Sequence, residues 1–260
     1  MEDRDFLRFI ENIKEFTGID LSQYKETQMK RRLTTLRLRR GFATFAAYFE
    51  ALKKDQTLLE EFLDRMTINV SEFWRNRVRW ETLEQIFLPR LMAESAGRLR
   101  CWSAACSTGE EAYTLAMILA EKGALPGSHI LATDIDKGVL AQARAGVYPD
   151  KAVRDVPESY LRKYFRKDGA MYRVADTLKP HIRFERHNLL ADSFGHAFDL
   201  IVCRNVLIYF TEEAKDQLYH RFAAALRPGG ILFVGSTEQI FTPGQYGFES
   251  AETFFYRKIR

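Results

Sequence analysis

The sequence predicts an α/β protein: an open, mostly parallel sheet wrapped by helices, carrying a small inserted subdomain and preceded by an all-α N-terminal domain. Three observations predict it. Apolar residues recur every three or four positions from Asp3 to about Leu91; short apolar runs alternate with amphipathic stretches after Gly97; and a basic, Tyr-rich piece interrupts the alternation between Gly146 and His181. With 260 residues, 46% hydrophobic and 28% charged, the chain can bury a sizeable core. That composition excludes disorder, collagen-like repeats and a small disulfide-stapled scaffold.

The helical third shows Phe6, Phe9, Ile10 and Ile13 in one stripe and Leu58, Leu59, Phe62, Leu63 and Met66 in another, with Gly18 and Gly41 as helix stops. Next come a strand over Arg98–Ala105, a helix over Gly109–Lys122, a strand over His129–Thr133 and a helix over Lys137–Ala145. A strand over Ile182–Glu185, a buried strand over Asp199–Cys203, a helix over Glu212–Leu226 and a strand over Ile231–Gly235 follow. Phe248–Lys258 has the aromatic content of an antiparallel edge. The turn signal Lys167-Asp168-Gly169 makes the interruption a hairpin subdomain. The domains are drawn as 1–75, helical, and 76–260, α/β, with the insertion at about 147–182.

The net charge of +4 conceals a strong asymmetry. Between Tyr24 and Gly41 stand seven bases (Lys25, Lys30, Arg31, Arg32, Arg37, Arg39, Arg40) against Glu26 alone, so this window carries +6 and the remainder −2. A helix from about Lys25 to Arg40 would bury Met29, Leu33 and Leu36, with Lys30 and Arg37 on one flank and Lys25, Arg32 and Arg39 on the other. Nucleic acid, an acidic protein helix, or plain solvent could face such a surface.

Cys101, Cys106 and Cys203 are too few and too irregular for a zinc site or a disulfide framework, and the five histidines show no metal spacing, so no metal is expected. The start, MEDRDFLRFI, lacks the features of a secretory signal, and the most apolar helical stretch, Tyr113–Ala120, is too short to span a bilayer. A cytoplasmic protein without an anchor is expected.

An open parallel sheet binds ligands beyond the carboxyl ends of its strands. The first such loop, within Trp102–Glu111, is a run of small residues, Ala105 among them, that opens into a helix and lets a ligand approach the backbone. It has neither G-x-G-x-x-G nor a P-loop. Ala104, Ala105 and Gly109 could equally be small for close helix–strand packing. In Ala132-Thr-Asp134-Ile-Asp136, Asp134 is placed to accept from both hydroxyls of a ribose, and Asp136 to cap the next helix. Asn188, after the following strand, has the donor and acceptor that an adenine edge requires, or is a turn residue.

Together these segments resemble the CheR family, S-adenosylmethionine-dependent methyltransferases that esterify glutamates of bacterial chemoreceptors. The resemblance runs through Ser71-Glu-Phe-Trp-Arg75 (in place of T-x-F-F-R), WSAACSTGEE, ATDID, HNLL, CRNVLIYF and Arg227-Pro-Gly-Gly230. It implies a class I, Rossmann-like methyltransferase domain. It also implies a methyl donor held by Asn69, Ser71 and Arg75, by Glu110, by Asp134, by Asn188 and Leu189, and by Arg204 and Asn205, with S-adenosylhomocysteine as product. A glutamate with a reference pKa of roughly 4.3 is already ionised at neutral pH, so alignment rather than a general base is the enzyme's task. Arg75, with its planar fork, and Tyr209, with its phenol, are the candidate catalytic groups; a surface ion pair and a half-buried ring are their plainer readings. Cys106 and Cys203 lie in no Pro-Cys context and are expected to pack in the core.

The resemblance favours an acidic helical receptor segment over nucleic acid as the partner of Lys30, Arg32, Arg37 and Arg39, with the protein acting as a monomer. The short turn at Lys167–Tyr172 points away from dependence on a receptor tether. A nucleic-acid methyltransferase, against which the absence of N/D-P-P-Y/F counts, and a non-catalytic S-adenosylmethionine sensor are the alternatives.

Overall fold

The computed structural model describes residues 2–66 and 71–259, with side chains from Arg4 onward. It divides into two compact units. The first is Met1–Ile68 with Leu190–Asp192 and Val206–Leu218; the second is Asn69–Leu189, Ser193–Asn205 and Tyr219–Arg260. The boundary expected at residue 75 is corrected: the Ser71–Arg75 segment groups with the α/β unit, and the loop bearing Tyr209 groups with the helical one.

In the first unit α1 (Glu2–Thr17), α2 (Glu26–Arg39), α3 (Phe45–Leu52) and α4 (Gln56–Met66) enclose an aromatic core. Phe6, Phe9 and Ile13 are buried at the expected helical spacing, and Phe9 meets Phe45 and Phe62 at ring distances of 5.0 and 5.8 Å. Gly18 and Gly41 take positive φ just past α1 and α2, which is why both helices stop there. The Asp5 carboxylate accepts from the backbone N–H groups of Phe45 and Ala46, so α1 caps α3.

The second unit opens with α5 (Arg77–Thr82), a π-helical turn (Leu83–Phe87) and α6 (Leu88–Glu94). It continues through β1 (Arg100–Ala104), α7 (Glu110–Glu121), β2 (His129–Asp134) and α8 (Lys137–Ala145). The insertion follows as β3 (Val147–Pro149), α9 (Glu158–Tyr164), β4 (Phe165–Asp168) and β5 (Met171–Val174), a separate antiparallel sheet in the order β3-β5-β4. Then come β6 (Ile182–Arg186), β7 (Phe198–Cys203), α10 (Glu212–Ala225), which starts in the first unit's segment, β8 (Leu226–Val234), β9 (Phe248–Glu252) and β10 (Phe255–Lys258).

The main sheet runs β6-β2-β1-β7-β8-β10-β9; the first five strands are parallel and the β9–β10 hairpin closes the edge antiparallel, as its aromatic pattern suggested. Every residue of β7 is buried, the pattern of a strand covered on both faces. Strand β8 begins five residues earlier than predicted. Its pairing with β7 shifts register opposite Arg227-Pro-Gly-Gly230, and Gly229 takes positive φ, so a bulge lets the chain pass directly from α10 into the strand. No helix among the described residues is long and apolar enough to cross a membrane.

Candidate functional site

Chain order departs from β1 in two directions, to β2 and β6 on one side and to β7 and β8 on the other, so β1 and β7 flank a topological switch point. Ligands of open α/β sheets bind outside the carboxyl ends of such strands. Ala105–Gly109 follows β1, Arg204-Asn205 follows β7, and Asp134 and Arg186, the last residues of β2 and β6, are paired in register.

The loop after β1 is held in a conformation ordinary side chains avoid: Ala105 and Ser107 have φ of 62° and 50°. Cys106 N–H donates to the Thr133 carbonyl at 2.8 Å and Ser107 N–H to Asp134 Oδ2 at 2.8 Å. Asp134 is buried at the strand tip, and burial, against backbone hydrogen bonds from Asp136, Ser107 and Ile135, pushes its carboxyl up to about 6. Asp136 accepts from Gly138 and Val139 N–H and caps α8, the part read for it in the sequence. For Gly109 packing explains the small residue: at φ 94° an added Cβ would stand 2.8 Å from Ala143 Cβ.

Glu110, first in α7, is buried; the Thr108 hydroxyl donates to its carboxylate and the Ser71 hydroxyl hydrogen-bonds it. Burial still raises its pKa. Two of the residues named as donor-binding, Ser71 and Glu110, are thus brought together. Asn69 lies outside the described residues.

Arg75 sits in a turn between Trp74 (φ 53°) and Asn76 (φ 60°). Its carbonyl accepts from Arg204 Nη2 at 2.7 Å, and Arg204 Nη1 stands 3.8 Å from the Glu111 carboxylate, itself bonded by Ser103 Oγ at 2.8 Å. Arg204 is buried over the rings of Trp80 and Phe233. The Arg204 guanidinium is thus engaged by protein groups and holds the Arg75 turn. Asn205 also has positive φ, 61°, and its N–H and that of Gly235 both donate to Oε2 of buried Glu238, at 2.7 and 2.8 Å.

On the other side, His187 N–H donates to the Asp134 carbonyl at 2.9 Å, and Asn188 is the next residue along the chain from His187. Leu189 is buried, and its carbonyl accepts from Arg221. Cys106 and Cys203 are buried, with thiols held well above the ordinary range by desolvation, in keeping with core packing.

The remaining candidates belong to the first unit. Tyr209 accepts at its carbonyl from Lys25 N–H, 2.9 Å, and the Arg32 guanidinium lies 5.8 Å from its ring centroid. Arg32 also donates to the Met66 carbonyl. Lys30 lies 5.9 Å from the Phe6 ring centroid, and Arg39 is exposed. Arg37 is corrected: it is only 4% exposed, stacks on Phe45, and donates to the Phe42 and Ala43 carbonyls. The chain folds back over that flank after Gly41, so Arg37 tethers a turn instead of displaying charge.

Sequence reasoning missed Glu111 and Glu238. The Glu-Glu doublet after Gly109 was the available signal for Glu111, but an acid in a first helical turn has a common dipole explanation. Glu238 had none beyond its place shortly after a strand.

Two family models match the chain: "CheR methyltransferase, all-alpha domain" over residues 4–67 and "CheR methyltransferase, SAM binding domain" over residues 69–255. The chain is 46% identical over 256 residues to chemotaxis protein methyltransferases of Listeria monocytogenes and Listeria innocua, covering 98% of each sequence compared. It is 33% identical over 248 residues to the chemotaxis protein methyltransferase of Escherichia coli, spanning 92% of this chain and 85% of that one.

Proposed function

The chain belongs to the CheR methyltransferase family, and from that premise we propose that it methylates glutamate side chains of chemoreceptors in the cytoplasm, forming glutamyl methyl esters. The observation that carries the reading is the set of buried carboxylates at the switch point, Glu110 and Asp134, with Glu111 behind them. A helix N-terminus alone would favour an anion. Acids gathered at one suit a ligand with an ammonium, a sulfonium and ribose hydroxyls. Ser107 Oγ, buried without a hydrogen-bond partner among the described residues, adds a polar group on the same loop. The residues therefore fit S-adenosylmethionine.

Ionised Asp134 would accept from the ribose hydroxyls, Glu110 and Ser71 would meet the amino-acid end, Asn188 and Leu189 the adenine, and Asn69, Arg75, Ala105 and Asn205 would complete the cradle. When bound, S-adenosylmethionine supplies an electrophilic methyl group. The acceptor glutamate needs no proton removed at neutral pH, so the protein's contribution is to align it and exclude water. Arg75 provides a fork that can orient a carboxylate, and Tyr209 a phenol that can donate one hydrogen bond. The basic helix α2, through Lys30, Arg32 and Arg39, would bring an acidic helical receptor segment to a monomeric enzyme.

Incubation with methyl-labelled S-adenosylmethionine and a receptor cytoplasmic fragment tests the proposal. The expected result is label on glutamate that mild base releases. Base-stable label on nucleic acid, or binding without transfer, would replace it with one of the alternatives.

A further inference from the structure

The inserted subdomain supports both sides of the donor-binding region within the second unit. From β3, the Tyr148 hydroxyl donates to the Thr108 carbonyl at 2.7 Å, and the Thr108 hydroxyl lies 2.8 and 2.7 Å from the two carboxylate oxygens of Glu110. Tyr148 is 2% exposed, and burial together with the Glu110 charge keeps its phenol protonated far beyond neutral pH, so it remains a donor. The opposing segment is held by the same subdomain. Phe73 N–H donates to the Ala152 carbonyl at 3.2 Å, the Phe73 ring meets Tyr148 and Phe165 edge-on at 4.8 and 5.0 Å, and Trp74 meets Tyr160 at 4.7 Å. Phe73 and Trp74 lie between Ser71 and Arg75, and Ser71 bonds Glu110.

We propose that Tyr148 is a positioning residue for S-adenosylmethionine, fixing Thr108 so that Glu110 is presented in its binding rotamer, and that the insertion thereby sets donor affinity. The proposal rests on the reading of this region as the donor site. A hydroxyl that only filled space would leave Glu110 indifferent to its loss. A hydroxyl that fixes the peptide carrying the Thr108 side chain transmits its loss to the carboxylate.

Calorimetric titration of S-adenosylhomocysteine into the full chain tests this. Wild-type binding secures the underlying reading. Tyr148→Phe is expected to raise Kd roughly tenfold, the worth of one well-made hydrogen bond, as is Thr108→Val, whereas Thr108→Ser, which keeps the hydroxyl, stays within about twofold. The double variant Tyr148→Phe/Glu110→Gln should bind about as weakly as Glu110→Gln alone, because the two changes break one relay. If Tyr148→Phe binds as wild type does, or lowers urea stability without changing affinity, or multiplies the Glu110→Gln effect in full, the positioning role is overturned while the donor site stands. Absence of binding by the wild type would overturn both.

Discussion

The guanidinium of Arg204 reaches the backbone carbonyl of Arg75 across 2.7 Å while its other amino group stands 3.8 Å from the Glu111 carboxylate. One buried cation therefore pins a turn with two residues at positive φ, Trp74 and Asn76, of which only the asparagine is favoured there by residue type. A lysine is a single point charge and cannot serve both partners. Arg204→Lys is expected to lose about 3 kcal/mol of stability in urea unfolding, in the range for breaking a buried pair. Initial rates of methyl transfer should fall at least about tenfold below what the unfolded fraction explains, since the Arg75 turn loses its anchor. Rates that track only the folded fraction would separate Arg204 from the site.

Asp134 and Asp136 differ by two positions and by proposed function, which gives a paired test. Asp136→Ala removes an N-cap and should cost about 1 kcal/mol of stability while donor binding survives. Asp134→Asn should retain most stability and lose donor affinity. In the proposed role the ionised carboxylate is the double acceptor, and its pKa is raised to about 6, so a ligand preferring that form draws the proton off. Wild-type affinity should therefore strengthen as pH rises from 5 to 7, and Asp134→Asn should flatten that profile in calorimetry at several pH values.

The cap made by Asp136 and the place of Asp134 at a strand tip were legible in the sequence because they depend on local rules, the end of an apolar run and the start of a helix. The same holds for the parallel sheet, read from apolar runs, and for the hairpin turn at Gly169, which takes positive φ between β4 and β5. Glu111, Glu238 and Tyr148 were not legible, because their roles lie in the partners that tertiary folding brings to them, Arg204, Asn205 N–H and Thr108. Arg37 was misread for a related reason. A helical projection assigns a flank but not the loop that returns to cover it. The positive φ of Trp74 runs against residue type, and only the surrounding contacts impose it.

Glu111 makes a second pH prediction, of opposite consequence for stability. Burial, against the attraction of Arg204, raises its pKa from 4.5 to about 7, so between those values the folded state holds a proton that the unfolded state has lost. The contribution is fully present below about pH 4.5 and declines as pH rises through about 7. Glu111→Gln cannot lose that proton. The stability difference between variant and wild type, from urea unfolding at pH 5 and pH 8, should move toward the variant by about 2–3 kcal/mol. A difference independent of pH would mean that Glu111 titrates normally.

The basic helix separates into structural and displayed cations, and charge reversal distinguishes them. Arg37, covered by the turn it bonds, should respond to Arg37→Met with a loss of about 2 kcal/mol in stability and little specific change in receptor KM. Lys30→Glu and Arg39→Glu lie at less covered positions and should leave unfolding within about 0.5 kcal/mol of wild type. Their effect should appear as a KM for receptor fragment raised several-fold, with kcat nearly unchanged, and as a weaker dependence of kcat/KM on salt, because fewer cations then steer an acidic partner. Titration of sodium chloride from about 0.05 to 0.3 M is sufficient, since the Debye length falls below roughly 8 Å across that span. If both reversals leave KM and its salt slope untouched, α2 is a solvated face and the receptor is recognised elsewhere.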